Sequence, residues 1–186
     1  SSIGGKSGVN LTSGKNLIGS IYHPKQIIID PKLLETLPDR EYHSGMAEMI
    51  KYSLILSKEL FDTLEKHLES ILSDLSVPIN DLIVNCIDIK INIVEQDVRD
   101  HGIRNILNFG HTIGHALEAC LGNEHIRHGE AVAYGMLYGA KLSNLKGSLS
   151  DSDFKRVAKL ISTLELPKLK NIDIDKILNF IKNDKK

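Results

Sequence analysis

Two short stretches carry residue types that could do chemistry: N-F-G-H-T-I-G-H-A from Asn108 to Ala116 and H-G-E-A-V from His128 to Val132. With His125 they gather four histidines and one carboxylate on an otherwise ordinary background of Leu, Ile and Lys. Imidazole nitrogens and carboxylate oxygens are the ligands of a catalytic zinc, which takes three protein donors and keeps a fourth position open. The candidates are His111, His115, His125, His128, Glu118, Glu130 and, further off, Glu48. Spacing alone selects His111 with His115, because residues four apart on a helix project from one face. At least two of His111, His115 and His128 are expected to line a common site. His125 reads as a surface-loop residue, and His23, His43, His67 and His101 as solvated or helix-end histidines.

Glu48 lies in A-E-M-I-K, three residues before Lys51 and among Ala47, Met49 and Ile50. The neighbours half-bury the pair, and a half-buried carboxylate wants a cation. Lys6, Lys15, Lys51, Lys90, Arg104 and Lys185 include several cations flanked by Gly, Asn or His and not set on plainly charged faces. As a set they suit a phosphate or carboxylate substrate.

The elements that must position these groups read as follows. Residues 1–30 open with four glycines in fourteen positions and read as a Gly/Lys-rich loop, with Gln26–Asp30 (Q-I-I-I-D) as one short strand lacking a partner. Nearly everything after that is helical. Periodicity predicts helices over Ser44–Ser57, Leu60–Leu72, Pro78 to about Asp97, about Arg104–Leu121, His128–Leu145, from a Ser150 cap to about Leu164, and Asp173–Lys182. The 128–145 segment is small-faced (Gly129, Ala131, Ala133, Gly135, Gly139, Ala140), so a neighbour can pack close. The fold class is mainly α, a multi-helix bundle with a Gly-rich N-terminal loop and one strand; residues 1–30 form a domain junction and 31–186 an all-α metal- and substrate-binding domain.

Composition narrows the function classes. The chain has 186 residues, 41% of them hydrophobic, and a net charge of −1, enough for a real core. The charge is uneven: residues 141–186 hold 11 Lys/Arg against 6 Asp/Glu. No basic stripe with interleaved aromatics points to nucleic acid. No apolar run reaches the roughly 20 residues of a membrane span, and no signal peptide is visible. Cys86 and Cys120, 34 apart without a C-x-x-C, read as small apolar groups in a reducing compartment. The expected location is cytoplasmic.

Six segments in order, S-S-I-G-G-K-S-G-V-N, G-K-N-L-I-G, L-x-T-L-P-x-R-E, G-M-A-E-M-I-K, N-F-G-H-T-I-G-H-A and H-G-E-A-V-A-Y-G-M, together resemble the 3-dehydroquinate synthase family. That family joins an N-terminal NAD-binding α/β domain to a C-terminal helical metal-binding domain, and this chain looks like the second. The family's opening Asp is missing, so a longer parent protein is expected. The resemblance implies Glu48, His111 and His128 as metal ligands, for zinc or another divalent ion such as cobalt, which displaces the spacing argument and makes His115 a substrate or proton-transfer residue. It implies Lys51, Lys90, Arg104, Asn108 and Asn16 as substrate contacts, Lys6 as a residue between substrate and nucleotide, and Lys15 and Thr36 as NAD contacts. Asp100 stands where the family usually has Glu. The implied reaction closes a phosphorylated seven-carbon keto acid into 3-dehydroquinate with loss of phosphate, through transient oxidation by NAD, and the full-length family protein tends to dimerise. The alternatives are another sugar-phosphate cyclase, a metal-dependent glycerol or alcohol dehydrogenase, or a non-catalytic helical metal-binding module.

Overall fold

The computed structural model describes residues 2–11, 14–74, 79–122, 124–170 and 172–183, and of residues 10, 11, 14–17 and 183 the backbone alone. Two antiparallel strands, β1 (Lys6–Leu11) and β2 (Gly14–Ile21), form a ribbon in which Lys6 pairs with Ile21 and Val9 with Ile18. Ser7 reinforces it, its hydroxyl meeting the Ser20 carbonyl at 3.0 Å. The segment expected to be loop is the ribbon, while Gln26–Asp30, the expected strand, pairs with nothing among the described residues and leaves Ile28 84% exposed. β-Branched composition favours a strand only where an edge stands ready to receive it. The ribbon, built from Gly, Ser, Asn and Lys between a few aliphatic residues, has almost no alternation to read.

A 3₁₀ turn at Pro31–Thr36, capped by the Asp30 carboxylate on the Lys32 amide, leads into the helices. They are α1 (Asp39–Leu56), α2 (Lys58–Ser73), α3 (Asn80–Gln96), α4 (His111–Leu121), α5 (His128–Leu145), α6 (Asp151–Ser162) and α7 (Ile174–Asn183). Pro38 starts α1 five residues earlier than periodicity suggested, with Asp39 and Glu41 placed where the helix dipole favours acids. The larger change concerns α4. A continuous helix from about Arg104 was expected, but Ile103–Asn108 is a separate 3₁₀ turn. Gly110, at φ 80°, reverses the chain before α4 begins at His111. Pro78, expected to open α3, lies outside the described residues.

The core lies between α1, α2, α5 and α6. Met46, Ala47 and Ile50 of α1 meet Leu64 and Leu68 of α2, Val132, Ala133 and Met136 of α5, and Leu160 and Ile161 of α6. Each fully buried Val, Leu, Ile or Met side chain among these contributes about 1.5–3 kcal/mol. A smaller cluster of Leu117, Ile126 and Ala131 joins α4 to α5 and is closed by Leu169 and Ile177. α1, α4 and α5 are thus fixed against one another, and they carry the candidate ligands. Cys86 and Cys120 are free thiols, both half-buried, and burial pushes the Cys86 thiol up to about 11, which leaves it inert. Among the described residues, no helix is long and apolar enough to cross a membrane.

Candidate metal centre

Glu48 sits in the third turn of α1, and His111 and His128 are the first residues of α4 and α5. The three converge. Glu48 Oε1 stands 3.6 Å from Nε2 of His111 and 3.6 Å from Nε2 of His128, and one ligand atom from each lies within 4.8 Å of the others. Donors around a tetrahedral zinc, bound at 2.0–2.1 Å, are about 3.3 Å apart.

The protons are placed to suit a cation. His111 Nδ1 lies 3.2 Å from the Phe109 carbonyl. A carbonyl only accepts, so Nδ1 carries the hydrogen and Nε2 the lone pair. His128 Nδ1 lies 3.0 Å from Glu118 Oε2, with the same consequence. Two imidazole lone pairs and a carboxylate oxygen therefore face one another with no hydrogen between them, and Glu48 Oε1 is buried without a hydrogen-bond partner. An orphaned, acceptor-only set of this kind is stabilised by a cation and by little else.

Electrostatics points the same way. The other oxygen, Glu48 Oε2, accepts from Lys51 Nζ at 2.5 Å, and Lys51 is only 4% exposed. Burial pushes the Glu48 carboxyl up, but the Lys51 ammonium and the two histidines outweigh it and hold it below the usual range. Burial, and then the Lys51 charge, push His111 down to about 4. Near neutral pH the site thus offers an ionised carboxylate and a neutral imidazole, the forms a metal requires.

His115, one turn along α4, has its ring 5.4 Å from that of His111 and 5.9 Å from that of His128. The i,i+4 pair selected by spacing does not share a ligand set. His111 groups with Glu48 and His128, whereas His115 groups with Glu118 and His128. Glu130, another candidate, lies in a different contact, receiving Arg40 Nε at 2.6 Å and Nη2 at 2.8 Å while also capping α5 through the Arg127 amide. Arg40 was missed by sequence reasoning, although it is the R of the L-x-T-L-P-x-R-E segment quoted above. His125 is exposed, as expected.

A basic wall stands beside the histidines. Arg104 is 3% exposed, and its Nη2 donates to the Gly4 carbonyl at 2.9 Å. Lys90, on α3, is half-buried, and its ammonium is pushed down by burial and then by the Lys51 and Arg104 charges. Lys6 pairs with Asp100, whose other oxygen lies 3.8 Å from Arg104 Nε. Asp100 therefore links the β-ribbon to the basic wall, from a positive φ of 62° that Asp tolerates. Asn108 is half-buried, three residues before His111, and Thr36 is exposed, its hydroxyl donating to the Leu33 carbonyl at 3.3 Å. The side chains of Lys15 and Asn16, and all of Lys185, lie outside the described residues.

Comparison with known proteins gives the following. The family model described as 3-dehydroquinate synthase C-terminal matches residues 45–186, and the one described as 3-dehydroquinate synthase N-terminal matches residues 1–44. A 3-dehydroquinate synthase from Geobacter metallireducens is 44% identical over 90% of this chain and 46% of its own length. One from Rippkaea orientalis is 43% identical over 100% of this chain and 52% of its own. The chain thus spans about half the length of the curated relatives it matches. Among solved structures, 2-epi-5-epi-valiolone synthase from Streptomyces hygroscopicus, with NAD+ and Zn2+ bound, superposes with a TM-score of 0.89 at 29% identity, covering 98% of this chain and 51% of that one. A 2-deoxy-scyllo-inosose synthase complexed with carbaglucose-6-phosphate, NAD+ and Co2+ gives 0.85 at 34%, covering 97% and 49%.

Proposed function

Since the chain belongs to the 3-dehydroquinate synthase family, we propose that it supplies the metal- and substrate-binding half of a dehydroquinate synthase. The observation that carries this reading is the partnerless Glu48 Oε1 facing two imidazole lone pairs beside the basic wall. Glu48, His111 and His128 hold a divalent cation, zinc or cobalt. When bound, it supplies Lewis acidity to a substrate alcohol and to the ketone made from it.

The chain's own residues bind and orient the rest. Lys51, Lys90 and Arg104 take the negative charges of a phosphorylated seven-carbon keto acid, with Arg104 suited to its carboxylate by the fork of its guanidinium. Lys51 also keeps Glu48 ionised. His115, beside both ligand rings, is placed to hold or move a proton at its imidazole nitrogens. Asn108 and Asn16 are assigned substrate hydroxyls. Lys6, Lys15 and Thr36 are assigned to the nucleotide, an NAD, which would supply reversible hydride transfer at one substrate alcohol. Phosphate leaves by elimination and an aldol step closes the ring. Activity belongs to a longer protein, in which residues 1–30 form a junction with an NAD-binding domain and two copies associate. The site is cytoplasmic.

The test is a chimera in which this chain replaces the corresponding half of the Geobacter metallireducens relative. It is assayed for phosphate release from 3-deoxy-arabino-heptulosonate 7-phosphate, and in parallel from glucose 6-phosphate and sedoheptulose 7-phosphate. Release from the first, lost on Glu48→Ala, is expected. Turnover of either other sugar instead would assign the chain to a different cyclase, and turnover by this chain alone with NAD would overturn the view of it as half of an enzyme.

A further inference from the structure

Glu118 is 7% exposed in the last turns of α4 and has no part in the ligand set proposed above. Its Oε2 lies 3.0 Å from Nδ1 of His128, the first residue of the next helix. The His128 side chain is 47% exposed, against 12% for His111. A ring that open is not oriented by packing. His111 is held by its burial and by the Phe109 carbonyl, and the matching anchor for His128 is a buried carboxylate.

A neutral imidazole has one N–H and one lone pair. His128 belongs by geometry to two groups, Glu48 with His111 on its Nε2 side and His115 with Glu118 on its Nδ1 side. It cannot give a lone pair to both. The Glu48 group holds the partnerless oxygen, so the lone pair belongs there and the hydrogen belongs to Glu118. We propose that Glu118 is a positioning residue, fixing the tautomer and orientation of His128 so that its Nε2 lone pair faces Glu48 and His111. The proposal rests on the metal reading above. Supporting carboxylates of this kind change metal affinity by about 10–100-fold.

The test titrates the 186-residue chain with Co2+, following the ligand-field absorption. Wild type is expected to bind one equivalent. Glu118→Leu, which keeps volume and removes the acceptor, is expected to bind about 10–100-fold more weakly with an altered spectrum. Glu118→Gln, whose amide oxygen still accepts from Nδ1, is expected to recover most of the affinity and the wild-type spectrum, which a merely structural role for the carboxylate would not produce. Wild-type affinity and spectrum in Glu118→Leu would overturn the proposal. So would two equivalents in wild type with the second lost in both Glu118→Leu and His115→Ala, because Glu118 would then be a ligand. Failure of wild type to bind, or binding that survives Glu48→Ala and His111→Ala, would instead remove the metal reading itself. Should Glu118→Leu not fold, 15N shifts of the His128 ring in the metal-free wild-type chain decide: Nδ1 protonated is expected, and Nε2 protonated overturns.

Discussion

Gly135→Ala sets helix propensity against packing, and the sign of the result tells which governs. Replacing a glycine inside a helix ordinarily gains about 0.5–1 kcal/mol. At Gly135 of α5, however, a Cβ would sit 1.9 Å from the Gly110 carbonyl oxygen and 2.7 Å from its carbon. Real Cβ contacts stay above 3.0 Å, so α5 and the start of α4 must separate by roughly 1 Å. The obstacle is backbone and cannot turn aside as a side chain would. Overpacking of this kind costs about 1–3 kcal/mol, so at the middle of both ranges the net loss is about 1 kcal/mol. For a chain of this size that lowers the melting temperature by about 2–4 °C. The same movement separates His111 from His128, and metal bonds tolerate only about ±0.2 Å, so zinc affinity should fall at least about 10-fold. Scanning calorimetry of the metal-free chain and competition with a chromophoric chelator read the two effects. Gly45→Ala in α1 is the control, since a Cβ there meets nothing within 4 Å; it should gain about 0.5–1 kcal/mol. A Gly135→Ala chain that melts at or above wild type with unchanged zinc affinity would refute the reasoning.

Zinc at 100 times its Kd should stabilise the wild-type chain by about 2.7 kcal/mol, a rise of about 5–11 °C; His111→Ala and His128→Ala should abolish the rise and His115→Ala retain it, as melting curves with and without zinc will show. Arg40→Ala leaves the buried Glu130 carboxylate without its two-pronged partner and should cost about 1–3 kcal/mol by urea denaturation, with Arg40→Lys recovering only part because Lys lacks the fork. Asp97 accepts backbone amides of His101, Gly102 and Arg104 at 2.9, 2.7 and 3.1 Å, which hold its carboxyl below the usual range. A depressed folded-state pKa stabilises the chain above the unfolded value and loses that contribution as pH falls through the folded one. Asp97→Ala should therefore melt below wild type near pH 7, with the gap closing in strong acid; a gap independent of pH would contradict the assignment.

The helices were legible where a stripe of apolar residues faces the core. Leu60, Leu64, Leu68 and Ile71 announce α2, and the Gly/Ala face of His128–Leu145 announces α5 with its observed ends. The β-ribbon was not legible, because strands of Gly, Ser, Asn and Lys differ little in composition from a loop. The isoleucines of 26–30 misled for the converse reason, having the propensity but pairing with no edge among the described residues. At the site, spacing could relate His111 to His115 within one helix, but nothing local relates either to Glu48, more than sixty residues earlier. Their meeting depends on how closely α5 approaches both neighbours. The amide of Gly129 takes a hydrogen bond of 2.9 Å to Ser44 Oγ on α1, and Gly135 touches Gly110 ahead of α4. The glycines were visible in the sequence, and the distances they permit were not.

Why His111 stays neutral while anions are welcomed follows from where it stands. Burial is the first thing to disfavour the imidazolium of His111, and its place as the first residue of α4 sets it where the macrodipole opposes that charge and favours a carboxylate. Lys51 acts in the same sense from α1, disfavouring the protonated ring of His111 and favouring the ionised form of Glu48. Lys90 feels the positive charges of Lys51, Arg104 and Lys6 at once, so this wall is strained by mutual repulsion that Glu48 and Asp100 offset only in part. Repulsion stored among fixed cations is relieved by an anion placed between them. One field therefore prepares two kinds of binding: it strips the proton from His111, a candidate metal ligand, and it leaves a surplus of positive charge for a phosphate or carboxylate to neutralise.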